Sequence, residues 1–61
     1  MFQPGDVILI TTTDGGTETT HHNNKVLEYD EGLLKVDQFG KIIVYNMRSY
    51  SFVRAQLQNQ R

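Results

Sequence analysis

Glycine-based turn signals recur along this chain and divide it into short segments. They stand at Pro4-Gly5-Asp6, Asp14-Gly15-Gly16, Asp30-Glu31-Gly32 and Phe39-Gly40-Lys41. The segments between them are rich in β-branched and aromatic residues, and none shows the period of an amphipathic helix. Short strands separated by frequent turns are typical of a small sandwich or barrel. The sequence therefore predicts an all-β fold of five to six short antiparallel strands.

Five segments have strand composition. We expect these strands at residues 6–12, 25–29, 33–38, 42–46 and 51–57. Four consecutive apolar residues at 7–10 favour a strand that is covered on both faces. Alternation predicts that Leu34 and Val36 share one face of their strand. The same alternation places Val53, Ala55 and Leu57 together on one face.

The remaining segments are less regular. Residues 11–24 carry no aliphatic or aromatic side chain, and they predict a polar hairpin or an ordered loop around the Asp14-Gly15-Gly16 turn. A disordered loop is the alternative. Residues 47–50 form a connection without a predicted structure. We expect residues 58–61 to be a frayed tail.

The size of the chain limits its stability. Its 61 residues predict one domain, residues 1–61. A chain of about 60 residues buries only about 60% of the surface that it exposes when unfolded, so such domains usually need disulfides, a metal or oligomerisation. There is no cysteine, which excludes disulfides and thiolate zinc sites. We therefore expect self-association, with no metal or cofactor.

The net charge and the hydropathy of the chain limit the classes of partner that it could bind. The net charge of −1 argues against a binder that relies on charge alone to hold nucleic acid. All six Lys and Arg residues follow residue 24, so a basic face requires folding or assembly to gather them. The apolar run at 7–10 is too short to span a membrane, and the first residues lack a signal-peptide pattern. We expect a soluble, cytoplasmic protein without a membrane partner.

No catalytic constellation is evident. Asp30 and Glu31 lie in a turn, where both carboxylates are solvated. His21 and His22 are adjacent, and adjacent strand residues point to opposite faces, so the pair does not suit a single metal ion. The glycines at 15 and 16 permit close approach of a ligand, but no phosphate-binding motif follows them. We therefore expect no enzyme activity and assign no catalytic residue.

Aromatic and basic residues interleave in the second half of the chain. The aromatic members are Phe39, Tyr45, Tyr50 and Phe52, and the basic members are Lys35, Lys41, Arg48 and Arg54. Single-stranded nucleic acids are bound by this combination, because bases stack on aromatic rings and cations contact phosphate. The alternative is a core of aromatic residues beneath a solvated surface, and Phe52 fits that description.

Residues 16–25 read Gly-Thr-Glu-Thr-Thr-His-His-Asn-Asn-Lys and resemble a segment of the trp RNA-binding attenuation protein family. That family has a Gly-Thr-acid-Thr run, then a His-His pair, and a lysine three residues later. A looser match links Glu31-Gly32-Leu33 to Gln38-Phe39, so the resemblance covers roughly residues 16–39. The family's Lys-Val-Arg triplet is replaced by Ile43-Val44-Tyr45, and its threonine-rich loop is shortened to Gly40-Lys41.

The resemblance implies an all-β subunit that joins its neighbours edge to edge in a ring. Free tryptophan lies between neighbouring subunits of the family, and single-stranded RNA wraps the rim. It further implies that Lys25 contacts RNA, that Gln38 lies in a segment lining the ligand site, and that the loop at residues 16–19 covers that site.

These arguments lead to two functional hypotheses. The first is a homo-oligomeric binding module, similar to the attenuation proteins, that engages RNA or a small molecule such as an amino acid at subunit boundaries. The expected RNA-binding residues are Lys25, Lys41, Arg48, Tyr45 and Tyr50. The expected ligand-binding residues are Gly15, Gly16, Thr17, Thr19, His21 and Gln38. The second hypothesis is a small barrel, similar to SH3 or Sm domains, that acts as a protein-interaction or structural adaptor.

Overall fold

The structure, a computed structural model, describes residues 2–58 and contains five antiparallel strands and no helix among them. The strands are β1 (Val7–Asp14), β2 (Thr17–Asp30), β3 (Leu33–Gln38), β4 (Lys41–Asn46) and β5 (Phe52–Leu57). They form one sheet in the order β4-β3-β2-β1-β5. The all-β prediction is confirmed. No helix in this range is long and apolar enough to cross a membrane.

Three two-residue turns join β1 to β4 in a meander. They are Gly15-Gly16, Glu31-Gly32 and Phe39-Gly40, and in each turn both residues have positive φ. Two positive φ angles define the type I′ turn, whose twist matches that of antiparallel strands. The glycines adopt this conformation without a steric penalty. Glu31 and Phe39 adopt it at φ 50° and 54°, where a residue with a side chain is strained.

Local interruptions of the strand pairing bend the sheet. Between Ile8 and Ile10 one residue of β1, Leu9, faces two residues of β2, His22 and Asn23, and Asn23 has φ 61°. Leu27 is an extra residue of β2 opposite β3, and Val53 is an extra residue of β5 opposite β1. Such bulges increase twist and bend the strand that carries them.

The bends turn the single sheet into a curved layer. The principal extents of the chain are 31 × 25 × 22 Å, whereas a flat sheet is about 10 Å thick. Beyond its bend, β2 pairs with β3, while its first half pairs with β1. The outer strands β4 and β5 form no ladder with each other within residues 2–58. This arrangement fits a small sandwich or a partly open barrel.

The core lies on the concave side of this sheet. Five fully buried aliphatic side chains form it: Ile8, Ile10, Val26, Leu34 and Val36. Seven further side chains pack around them while remaining partly exposed: Phe2, Tyr29, Ile43, Tyr45, Met47, Phe52 and Ala55. The core is small, as the length of the chain predicts.

Most strand predictions are confirmed. The strand at residues 33–38 has the predicted bounds, and Leu34 and Val36 point into the core. The polar segment is an ordered hairpin, so the disordered alternative is wrong for this structure. The strand predicted at residues 25–29 is only the second half of β2.

Two predictions near the end of the chain need correction. Ala55 and Leu57 do share a face, since they pair with the buried Ile10 and Ile8, but Val53 does not join them, because the bulge at Val53 places Phe52 on the core instead. Gln58 is not frayed: its backbone N–H donates to the Val7 carbonyl at 3.0 Å. Residues 59–61, the rest of the expected tail, lie outside the described residues.

Candidate functional site

A polar cluster fills one end of the interior. Its centre is Asn24, whose side chain is fully buried. The Asn24 amide group donates to the carbonyls of Ile8 (3.1 Å) and His21 (2.7 Å), and its oxygen accepts from Gln38 Nε2 at 2.6 Å. No buried polar side-chain atom of residues 2–58 lacks a partner. Asn24 therefore ties β1, β2 and β3 together where β2 bends.

His21 and Tyr45 complete this cluster. The His21 ring packs against Tyr45 with the ring centroids 6.4 Å apart, and its Nε2 lies 3.3 Å from Thr12 Oγ1. Gln38 Nε2 lies 3.3 Å from the Tyr45 hydroxyl. These contacts join Asn24, Gln38 and Tyr45 through their side chains and link His21 to Asn24 and Tyr45. The cluster of Asn24, His21, Gln38 and Tyr45, which we call the brace, is a hydrogen-bonded group of side chains rather than the lining of a vacant pocket.

Only two of the predicted ligand-binding residues belong to this cluster. His21 and Gln38 are joined through Asn24. Gly15, Gly16, Thr17 and Thr19 lie at the exposed end of the β1–β2 hairpin. Thr19 and Asn24 are five positions apart on β2, which corresponds to roughly 16 Å of extended strand. One copy of the chain does not bring the two groups together.

The predicted RNA-binding residues are also dispersed. Lys25 pairs with Asp37 of β3 and is exposed, while Lys41 begins β4. Arg48 and Tyr50 lie in the β4–β5 connection, residues 47–51, and Tyr50 is fully exposed. Tyr45 is half-buried against the core with its hydroxyl near Gln38. The structure thus leaves Tyr50 free to stack on a base and places Tyr45 in the brace.

The β4–β5 connection is ordered by its own hydrogen bonds. The Asn46 side chain accepts from the Arg48 N–H at 2.9 Å, and the Ser49 hydroxyl lies 3.0 Å from that of Ser51. Met47 N–H donates to the Gly32 carbonyl at 2.7 Å, which fixes the connection against the β2–β3 turn. Arg48 and Tyr50 are therefore displayed from an anchored segment.

Two sheet edges are open, and both carry apolar side chains. On β4, Ile42 is 64% exposed and Val44 is 55% exposed. On β5, Val53 and Leu57 are the exposed apolar residues. An edge strand has a row of backbone groups available for pairing, and natural proteins usually protect such an edge with charge, proline or a covering element. In this chain both edge strands carry exposed apolar side chains.

A shallow depression lies on the outer face beside the β4 edge. Its volume is about 190 Å³, and it is lined by Glu28, Asp30, Leu33, Lys35 and Val44. Lys35 Nζ and Glu28 Oε1 are 3.9 Å apart across it. None of the ligand-binding residues predicted from the sequence lines it. Its carboxylates do not suit phosphate.

Comparisons with known proteins do not add a family to this geometry. No family model matches the chain, and no curated protein or solved structure is significantly similar to it. The similarity to the attenuation-protein family remains a prediction from residues 16–39. Within residues 2–58, no group of three or more His, Cys, Asp or Glu side chains is arranged to hold a metal ion.

Two residues were missed by sequence reasoning. Asn24 gave no signal of its own, because a buried asparagine and a surface asparagine look alike in a polar run. Phe39 was counted among the interleaved aromatic residues and assigned to a turn, but it was not among the expected RNA-binding residues. Its side chain is 77% exposed at the first position of a type I′ turn, where Asn, Asp or Gly is preferred.

Proposed function

We propose that this chain is the subunit of a homo-oligomer, assembled edge to edge through β4 and β5, that binds single-stranded RNA at its subunit boundaries. The observation that carries the proposal is the pair of open edges with exposed apolar side chains. A neighbour that adds its β5 to β4 satisfies the backbone groups of both edges and removes Ile42, Val44 and Leu57 from water. A closed ring of such contacts leaves no edge open.

Assembly would also stabilise a chain whose core is small. Five fully buried aliphatic side chains support a chain of 61 residues, and oligomerisation is one of the standard means of stabilising so small a domain. Burying a fully exposed aliphatic side chain contributes about 1.5–3 kcal/mol, and the side chains on these edges, which are 37–64% exposed, gain the corresponding part of it. Two such side chains on each edge therefore supply a substantial fraction of the stability of the subunit.

The RNA part of the proposal rests on the β4–β5 connection. Arg48 and Tyr50 project from the segment that links the two open edges, so assembly through those edges places them at a subunit boundary. An exposed tyrosine offers a stacking surface for a base, and an arginine beside it offers a cation for phosphate. Repetition around an oligomer multiplies a weak site by avidity.

The first test is native mass spectrometry of the wild-type chain and of Val44→Lys. The lysine places a charge in the middle of the β4 edge, where we expect it to shift the protein from a discrete oligomer toward monomer. Gln3→Lys is the matched control, since it adds the same charge at an exposed position away from both edges. A wild-type monomer, or an unchanged oligomer in Val44→Lys, contradicts assembly through β4.

The second test is RNA binding by the assembled protein. We expect wild type to retain a single-stranded RNA of about 12 nucleotides at moderate salt. Tyr50→Ala should weaken that binding, whereas Gln3→Ala, at an exposed position away from both edges, should not. If the protein is a discrete oligomer that does not bind RNA, the proposed RNA binding is contradicted and the proposed assembly is not.

An adaptor of the small-barrel type is the second candidate. The curved single sheet and the depression at Leu33 and Val44 support it, because exposed apolar surface suits a protein partner. This candidate predicts a monomer or dimer that is indifferent to RNA. The two tests above therefore separate it from the first proposal. A small-molecule ligand at the boundary predicts an oligomer whose thermal midpoint rises with that ligand but not with RNA.

A further inference from the structure

The tip of the β3–β4 hairpin combines two unfavourable features in one residue. Phe39 has φ 54° and is the first residue of a type I′ turn, a position that disfavours a bulky side chain. Its ring is also 77% exposed to solvent. Asparagine at this position would remove the strain and the exposed apolar surface together. Nothing in the packing of residues 2–58 therefore explains why phenylalanine stands there.

The residues around the Phe39 ring indicate which kind of molecule it suits. The four neighbours of Phe39 along the hairpin are Asp37, Gln38, Gly40 and Lys41, none of them apolar. The Asp37 carboxylate accepts from the Gly40 N–H at 2.9 Å and so is engaged in the turn. Lys41 pairs with Gln38 at the base of the turn and is exposed. An exposed ring beside an exposed lysine suits a nucleobase and its phosphate.

We infer that Phe39 is a base-stacking residue that the β3–β4 turn holds in solvent, with Lys41 contacting the adjacent phosphate. The inference rests on the proposed RNA binding and extends it to the opposite end of the β4 edge from Tyr50. Strand β4 has six residues, so the two rings are separated by about 20 Å of extended strand. That distance accommodates several nucleotides between the two stacking points.

Two properties of Phe39 variants test this inference separately. Phe39→Asn should raise the thermal midpoint by about 4–8 °C, since relieving αL strain of about 1 kcal/mol has that effect in a domain of this size. The same variant should weaken binding of a fluorescent single-stranded RNA of about 12 nucleotides by roughly tenfold, because one stacked base contributes about 1–3 kcal/mol. A variant that is more stable yet binds less is the expected signature.

Matched variants isolate the ring from the turn. Glu31→Asp changes the equivalent position of the β2–β3 turn, at φ 50°, and keeps the charge. It should raise the midpoint without changing RNA affinity. Phe39→Trp should retain affinity, since it retains an aromatic face. Phe39→Leu should lose affinity as Phe39→Asn does, since it keeps the apolar character and removes the π surface.

Each contrary outcome is informative. If Phe39→Asn and Phe39→Leu both bind RNA as wild type does, Phe39 is not a stacking residue although the proposed RNA binding stands. If Phe39→Leu retains affinity while Phe39→Asn loses it, the contact is apolar and base stacking is refuted. If the wild-type chain binds no RNA, the proposed function fails together with this inference. The midpoint of Phe39→Asn still shows whether the turn is strained.

Discussion

Replacement of Asn24 by leucine is the sharpest test of what bends the sheet. The side chains of leucine and asparagine have the same number and branching of heavy atoms, so leucine fills the space while removing three hydrogen bonds. Those bonds join Asn24 to the Ile8 and His21 carbonyls and to Gln38 Nε2. Each contributes about 1 kcal/mol net, and the buried groups left behind add to the loss. We expect the free energy of unfolding to fall by about 3 kcal/mol.

That loss is large for this chain. Typical stabilities per residue give about 3–9 kcal/mol for 61 residues. Urea unfolding followed by far-ultraviolet circular dichroism measures the change, at one fixed protein concentration because the proposed assembly would also stabilise the fold. If Asn24→Leu is unfolded in buffer alone, both proteins are compared in a stabilising osmolyte such as trimethylamine N-oxide.

Asn46→Ala is the control. The Asn46 side chain also accepts a backbone N–H, that of Arg48 at 2.9 Å, but Asn46 is exposed. Water replaces its hydrogen bond, so we expect a change within about 0.5–1 kcal/mol. If Asn24→Leu loses no more stability than Asn46→Ala does, the buried network is not what holds the bend of β2.

Two further predictions concern the turns and the cations. Gly32→Ala should destabilise the fold more than Gly5→Ala: both glycines have positive φ, but only at Gly32 would a Cβ meet another group, Arg48 Nε at 3.1 Å. The difference in urea midpoint reports that clash, and equal losses would show that Arg48 simply moves aside. Lys25→Ala and Lys41→Ala should each weaken RNA binding and flatten its dependence on salt, measured by fluorescence anisotropy over a salt series. Unchanged affinity in both variants removes these lysines from the interface.

The strands were predictable because their signals are local. Alternation at Leu34 and Val36 and the glycine at the second position of each turn determine β3 and its neighbours without reference to the rest of the chain. The polar hairpin was predictable for the same reason, since Gly15-Gly16 favours a type I′ turn. Its length was not, because threonine and histidine pair in a ladder as readily as they remain in a loop.

The bulges and the site were less predictable because they depend on distant partners. Asn23 adopts φ 61° beside Gln58, whose side chain accepts from the Asn23 N–H at 2.7 Å and donates to its Oδ1 at 2.8 Å. These two residues are 35 positions apart, and no local pattern joins them. The bulge at Val53 likewise depends on pairing with β1. From the sequence, His21 and Gln38 were expected to line a ligand pocket. In the structure they are joined by hydrogen bonds to Asn24.

The proposed assembly through the two open edges predicts that stability depends on protein concentration. If neighbouring copies cover β4 and β5, only the assembled chain has both edges paired, so the thermal midpoint must rise with protein concentration. A tenfold increase stabilises each subunit by up to about 1.4 kcal/mol, which raises the midpoint by several degrees. Differential scanning calorimetry over a concentration series measures this shift. Val44→Lys, whose edge carries a charge, should melt lower and at a temperature independent of concentration. A wild-type midpoint that does not move with concentration would show that the five strands are stable alone and that the apolar residues on both edges serve another partner.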